Sequence, residues 1–488
     1  MLESEKAEGR AAVPGILSEE ETDAIHDGAL RVLSSTGVRI HDGEVVELLA
    51  DAGGQLHLEA EGLRVTLPRN LISEALSKAP SVVTLYNQAG DEAMALGKGR
   101  FHTRTSSGAT GMLDLESGAR RPATSQDAAD VARLADALPN IVGVSTMAVQ
   151  PADVPASSVD VHAVRLALEN TSKPLGYVCL NERLIEPVLE MVAAAVGGEE
   201  ELRRRPIVTG LAESTSPLQL VSSQMAVLKA FAGRRLPLTL HAHPMAGLTA
   251  PVTLAGELTV THAEILALIT VAQLYEPGTP VVYGLSSSVP DMRNASNLAG
   301  AVEIGLLGSA VAQLARRCGV PAVMSSGSDA HAPGAQSVFE RLMTLLPPAL
   351  AGVDLINLST LETKMSFSLE QLVIDDAIVG AVQRLLRGVG VEEETLALDL
   401  ILEMGPGGAF ISADHTLEHY QDELHISALI DHQSRDAWRA SGAPNMVQRA
   451  RAHARGLLAN HQPHALAPQV VAEFDRIVDA VDCEDGVV

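Results

Sequence analysis

A chain of 488 residues is too long for one ordinary domain and suits a large barrel with added segments. Apolar residues make up 46% and charged residues 20%, which supports a large core and argues against disorder. A formal charge of −26 repels phosphate backbones and excludes nucleic acid as a partner.

Three scattered cysteines, Cys179, Cys318 and Cys483, form no CxxC pair, which fits a reducing cytoplasm and argues against a thiolate zinc cluster. The charged N-terminus lacks the apolar stretch of a signal peptide. The long apolar runs are broken by Gly, Pro or charge, so no membrane span is expected.

Residues 1–16 read as a flexible polar lead-in. Ser18 is an expected N-cap, with Glu21 as its capping-box partner, opening a helix whose apolar residues recur with helical period to Leu33. A second helix is expected over 43–52, a strand over 62–67, a helix over 68–79 and a β-rich run over 82–86. Residues 17–135 thus form an N-terminal α/β segment. From residue 136 the texture changes. Short apolar runs starting near 141, 174, 206, 236, 280 and 321 alternate with long helical stretches such as 217–233, 259–274 and 296–317. Runs near 353–358 and 399–411 bring the strand count to eight. Repeated strand–helix units imply parallel strands under covering helices, so the expected fold is α/β: a TIM (β/α)8 barrel over 136–404. No GxGxxG follows a strand, which argues against an open nucleotide-binding sheet. Residues 405–488 read as a C-terminal helical extension.

In such a barrel the chemistry sits where strands run out into loops. His241-Ala-His243 is the sharpest local signal. Alternation puts Thr239, His241 and His243 on one strand face, pointing into the mouth, with Leu238, Leu240 and Ala242 toward the helices. Two imidazoles on one face can bind a metal such as zinc or iron, or can orient a polar substrate. Asp329 and His331 repeat the spacing and can act as base and orienter. Glu213 ends another strand on the face of Thr209, where a carboxylate can meet a cationic head group. Ser286 ends a further strand. Asp291 and Arg293 read as a structural ion pair. Gly405-Pro-Gly407-Gly408 permits close backbone approach to a ligand but lacks the Lys-Ser/Thr of a phosphate loop. His415 and His419 share a helical face without the Glu of a zinc-protease motif, and read as a core or surface pair.

Several stretches in combination resemble the trimethylamine:corrinoid methyltransferase family, from about residue 17 to 477. They are RRPAT at 120–124, RLADALPNI at 133–141, TSKPL at 171–175, PMAGLTAPVTLAGEL at 244–258, PGTPVVYG at 277–284, FSLEQLVIDD at 367–376, and GPGGAF followed by HTLEHY at 415–420. The resemblance implies a TIM barrel that moves a methyl group from a small methylated amine or quaternary amine to the cobalt of a corrinoid (cobalamin) on a separate partner protein. It also fits a cytoplasmic enzyme that can assemble as a homo-oligomer. The trimethylamine enzyme of the family uses pyrrolysine, which this chain lacks; relatives without it favour quaternary amines such as glycine betaine. Where the family's strand before PMAG ends in small or apolar residues, this chain carries His241 and His243. His331 stands near the family's usual lysine, and His425 near an aromatic of its tail motif.

On this reading His243, His331 and Asp329 are the candidate catalytic residues. Glu213, His241, Ser286, Gly407 and Gly408 are the candidate substrate contacts, the two glycines shaping the wall near the corrinoid entrance. Two alternatives remain: a metal-dependent enzyme built on His241 and His243, and a small-amine binding protein using the barrel mouth as a receptor pocket.

Overall fold

The computed structural model describes residues 15–59, 62–286, 288–294 and 296–484, so most of the expected lead-in lies outside the described residues. Eight parallel strands form the centre: β1 His102–Thr105, β2 Val144–Ser145, β3 Leu175–Tyr177, β4 Val208–Glu213, β5 Leu238–Ala242, β6 Val281–Leu285, β7 Ala322–Ser325 and β8 Leu355–Leu358. Each pairs with the next from β2 onward, and β8 pairs in parallel with β1, Leu355 opposite His102. A bridge between Arg104 and Gly143 joins β1 to the approach of β2 and closes the barrel. There the Thr105 N–H donates to the Gly143 carbonyl at 3.2 Å and the Val142 N–H to the Thr103 carbonyl at 2.9 Å.

Seven of the expected strands are present, but the eighth is not the run at 399–411. That stretch holds a helix, Leu398–Met404, and a single 3-10 turn, Phe410–Ser412. The missing strand is β1, inside the stretch read as N-terminal segment, so the barrel starts well before residue 136. His-Thr-Arg-Thr carries no apolar run to mark it; its β-branched threonines are the strand formers.

The N-terminal elements have two tasks. The helix Glu19–Ser35 opens on the expected capping box, with the Glu21 N–H donating to Ser18 Oγ at 3.1 Å and the Ser18 N–H to Glu21 Oε2 at 2.8 Å. With Gly43–Asp51 and Arg69–Lys78 it packs on the helix Leu254–Tyr275. That helix is long and apolar enough to cross a membrane by length and composition; here its apolar residues are covered by the N-terminal helices and the barrel strands. The second task is to close the barrel's N-terminal end. Val83, Leu85, Met94 and Leu96 of the hairpin Val83–Tyr86/Glu92–Leu96 pack on the inward-facing Val282, Val323 and Leu355.

One buried ion pair ties the last two barrel helices together. Arg341 of Ala335–Ala351 and Asp375 of Leu369–Arg387 are both fully buried, with Nε and Oδ1 3.1 Å apart. Arg341 also donates to the Ser326 carbonyl and, at 3.1 Å, to the Thr360 carbonyl; Gln371 supports Asp375 at 2.7 Å. The arginine thereby fixes the loops after β7 and β8. Removing one partner of such a pair strands the other charge. Arg341→Met is therefore expected to cost about 3–5 kcal/mol in urea unfolding, with part recovered in Arg341→Met/Asp375→Leu. A single-variant loss below about 1 kcal/mol would contradict this role.

Candidate active site

The C-terminal mouth of the barrel holds a cavity of about 180 Å3. A larger hollow, about 790 Å3, opens at the opposite end beside Phe101, Val320 and Asp354. Barrel chemistry belongs to the end where the strands run out, so the smaller cavity is the site.

Arg104 of β1 lines its floor and is only 6% exposed. Its guanidinium lies across Gly176 of β3, where a Cβ would sit 2.4 Å from Nη1. It donates from Nε to Asn357 Oδ1 at 3.1 Å and from Nη1 to Thr209 Oγ1 at 2.9 Å. Both acceptors are neutral. Burial lowers its pKa to about 10.

His241 stands above, on β5. Its Nδ1 is 2.7 Å from Ser286 Oγ, while its buried Nε2 has no hydrogen-bond partner. The ring crosses β6 at Gly284, where a Cβ would come within 2.0 Å of Cδ2. Burial, then the charges of Arg104 and Lys364, push the imidazole down to about 3, so it is neutral. Glu213 ends β4, its backbone N–H held by Gln224 Oε1 at 3.0 Å. Its Oε1 is 3.9 Å from His241 Nδ1, too far for a hydrogen bond. Burial raises its carboxyl pKa and Lys364 opposes the rise. His243 lies just beyond β5, exposed at the entrance and lining the same cavity, its pKa held down by enclosure and by Lys364. Alternation thus places Thr239, His241 and His243 in the mouth, as expected.

Lys364 completes the ring. Enclosure lowers its pKa and Glu213 opposes that shift. It arrives on an unusual backbone: Glu362, Thr363 and Lys364 have φ of 49, 54 and 72°, all in the left-handed region without a glycine. Each such residue costs about 1–3 kcal/mol and persists only where its surroundings hold it. Asp329 and His331 are part of what holds it. Thr363 Oγ1 donates to Asp329 Oδ1 at 2.9 Å, and Asp329 also accepts from the Ala299 and Gly300 N–H groups. Glu362 meets His331 Nδ1 at 2.9 Å and Arg120 Nε at 2.9 Å.

The proposed base–orienter pair is therefore not formed. Asp329 and His331 do not line the cavity, and the His331 side chain is 88% exposed. Gly407 and Gly408 are exposed on the C-terminal extension and do not line it either, because the chain they belong to leaves from the other end of the barrel. Of the polar run after β4, Glu213 faces the cavity, whereas Ser214 and Ser216 donate to the buried Glu264 at 2.6 and 2.8 Å. Asp291 and Arg293 pair at 2.7 Å on the surface. The His415 and His419 rings lie 4.3 Å apart, tilted by 43°, also on the exposed extension.

The mouth does not present the three-ligand set that zinc or iron requires. Among the described residues, three metal-ligating side chains approach within 4.8 Å of one another only at His26, His262 and Cys318, in the helix layer outside the barrel. Even there the imidazoles bond to each other at 2.8 Å, and His262 to the Tyr283 hydroxyl at 2.9 Å, a chain already satisfied without an ion.

Sequence reasoning missed Arg104 and Lys364. An arginine alternating with threonines in HTRT is a usable signal for an inward-facing strand cation. Nothing in Glu-Thr-Lys announces three left-handed residues.

A closed barrel with a small cavity, two cations, one carboxylate and a neutral imidazole at its mouth is an enzyme of the TIM-barrel class acting on a small charged molecule. Comparison makes this specific: the chain belongs to the trimethylamine methyltransferase (MTTB) family, whose profile matches residues 4–482. It is 32% identical over 472 residues to trimethylamine methyltransferase MttB of Desulfitobacterium hafniense, covering 96% of this chain and 94% of that one. It is 31% identical over 467 residues to a glycine betaine methyltransferase of the same species, covering 95% and 96%. Among solved structures, the Methanosarcina barkeri monomethylamine methyltransferase aligns over 90% of this chain and 92% of its own, with a TM-score of 0.49 and 11% identity.

Two outcomes follow from the packing around His241. Nitrogen NMR of this imidazole should show the neutral ring throughout about pH 5 to 8; a titration midpoint inside that window would contradict the proposed field of Arg104 and Lys364. Gly284→Ala should displace the ring and lower kcat/KM at least about 10-fold, a transition-state loss of about 1.4 kcal/mol, with the far-UV circular dichroism unchanged. Wild-type kinetics in this variant would remove His241 from the site.

Proposed function

We propose that this enzyme takes a methyl group from a small methylated ammonium compound that also carries an anionic group, and delivers it to a corrinoid protein docked over the barrel mouth. The observation that supports the donor class is Arg104, a buried cation with two neutral acceptors and no carboxylate partner in hydrogen-bond range among the described residues, facing the same cavity as Lys364. Two cations against one carboxylate disfavour a purely cationic ligand. An oxyanion beside Arg104 and Lys364 balances the cavity, and Glu213 faces the ammonium end. Tyr177 is the one Phe, Tyr or Trp among the residues lining the cavity, so a carboxylate rather than an aromatic cage meets the cation.

The reaction removes positive charge from nitrogen. The methyl carbon–nitrogen bond breaks with its electron pair left on nitrogen, and the carbon bonds to reduced cobalt presented at the mouth. Corrinoid supplies the nucleophile; the chain supplies enclosure, orientation and field. Arg104 and Lys364 favour the charge loss, and His241 is neutral and takes up no proton. The cavity, smaller than a site for a drug-sized ligand, does not admit a corrin ring. The acceptor must therefore stay on its own protein. The surface around the mouth suits that docking: Leu180, Leu248, Val252, Met292, Phe339 and Met365 are exposed on the segments that follow β3, β5, β6, β7 and β8.

The test is methylcobalt formation, followed by visible spectroscopy with a reduced corrinoid protein and a panel of trimethylamine, glycine betaine and longer betaines. A carboxylated donor should react and trimethylamine should not. Lys364→Met should raise KM for the active donor about 10-fold or more, the loss of a charge-assisted contact. Equal rates with trimethylamine would favour the second reading, a plain trimethylamine enzyme, which the relative of that name supports.

A further inference from the structure

Three nitrogen donors at the mouth cavity lack acceptors among the described residues. Arg104 uses Nε on Asn357 and Nη1 on Thr209, which leaves Nη2 without one. Asn357 turns its amide oxygen to the arginine, so Nδ2 is the free end of that side chain. His241 Nε2 is the third, buried and unpartnered. All three residues line the same cavity. Strand geometry brings them together. Asn357 of β8 lies directly opposite Arg104 of β1. The His241 ring starts from β5 and crosses Gly284 of β6, so it reaches toward β7 and β8.

Ser286 decides what His241 can offer. The ring is neutral and carries one proton. If Nδ1 held it, Nδ1–H would donate to Ser286, and both the serine hydroxyl proton and the Nε2 lone pair would go unmet. Ser286 Oγ has no other partner among the described residues. Donation from Oγ to Nδ1, at 2.7 Å, therefore leaves one group unmet instead of two and puts the ring proton on Nε2. A buried donor is costly to leave unmet, and a ligand oxygen removes that cost. A carboxylate has room for all three donors on its two oxygens. We propose that Arg104 Nη2, Asn357 Nδ2 and His241 Nε2–H form the seat of the donor's carboxylate, and that Ser286 is a positioning residue that keeps the proton on Nε2. Ser286 then acts through His241 and not on the ligand. The seat rests on the carboxylated donor of the proposed reaction and names the groups that hold its anionic end.

Acetate carries the carboxylate alone and probes the seat whatever the donor's length. Nitrogen NMR of the full chain, with the His241 signal assigned by its loss in His241→Gln, should show Nε2 protonated and Nδ1 bare in the free enzyme. Acetate should shift that Nε2–H signal and the Asn357 side-chain amide, and tetramethylammonium should shift neither. Ser286→Ala should mix the two tautomers and weaken acetate binding about 10-fold, the loss of one oriented hydrogen bond to a charged group. Ser286→Thr keeps the hydroxyl and should restore both. A proton on Nδ1 in the wild type overturns the inference, and so does acetate that leaves the Nε2–H signal in place. Wild-type tautomer and affinity in Ser286→Ala would remove the positioning role. Should a serine variant fail to fold, the wild-type spectra still decide. A seat that takes acetate, in an enzyme that demethylates no carboxylated compound, would leave this inference standing and remove the proposed reaction.

Discussion

A single guanidinium charge in the middle of a closed barrel constrains most of what surrounds it. Bringing Arg104 out of water costs several kcal/mol, and Asn357 and Thr209 return only neutral hydrogen bonds. The strand beneath must lack a side chain, hence Gly176. The imidazole above must be neutral, and Arg104 is one of the charges that hold it so. The cavity is left with an electrostatic demand that its single carboxylate, Glu213, does not meet. A ligand that brings its own anion resolves that demand, and one that brings only a cation worsens it.

The second cation is held by strain that the surrounding loops oppose. Lys364 follows two other residues of positive φ, and the segment keeps this shape because Thr363 is tied to Asp329 and Glu362 to His331 and Arg120. These groups stand one step behind the cavity. They position a charge and do not line the cavity. Asp329 and His331 looked catalytic for a sound reason: a polar Asp-Ala-His at a barrel strand end belongs near the chemistry. Which of two polar groups at a strand end faces inward is set by the loop path, and the loop path depends on contacts with Asn297, Ala299 and Gly300 far back in the sequence.

The legible parts of this protein are those governed by local period and end chemistry. The capping box at Ser18 and Glu21, the seven apolar strands and the inward face of β5 follow from spacing alone. What escaped detection depended on something other than apolar pattern. β1 is polar because one of its residues, Arg104, lines the cavity, so the same feature that shapes the mouth hid the strand. The helix Leu398–Met404 was misread as a strand because its leucines and isoleucine form an apolar run with no core to reveal their period. Both errors mark places where the chain departs from packing an ordinary core.

The alternation of β5 also separates the residues that pack the barrel from those that line its mouth. Leu238, Leu240 and Ala242 are buried in the main core, while Thr239, His241 and His243 between and beyond them line the cavity. Period two assigns the two tasks to different residues of one short strand, so the mouth can change while the helix packing stays. Leu240 serves the packing and His241 faces the cavity. The face where the strands end carries the cavity and an apolar rim. Because those residues lie beyond the strands, that face too can change without disturbing the packing beneath it.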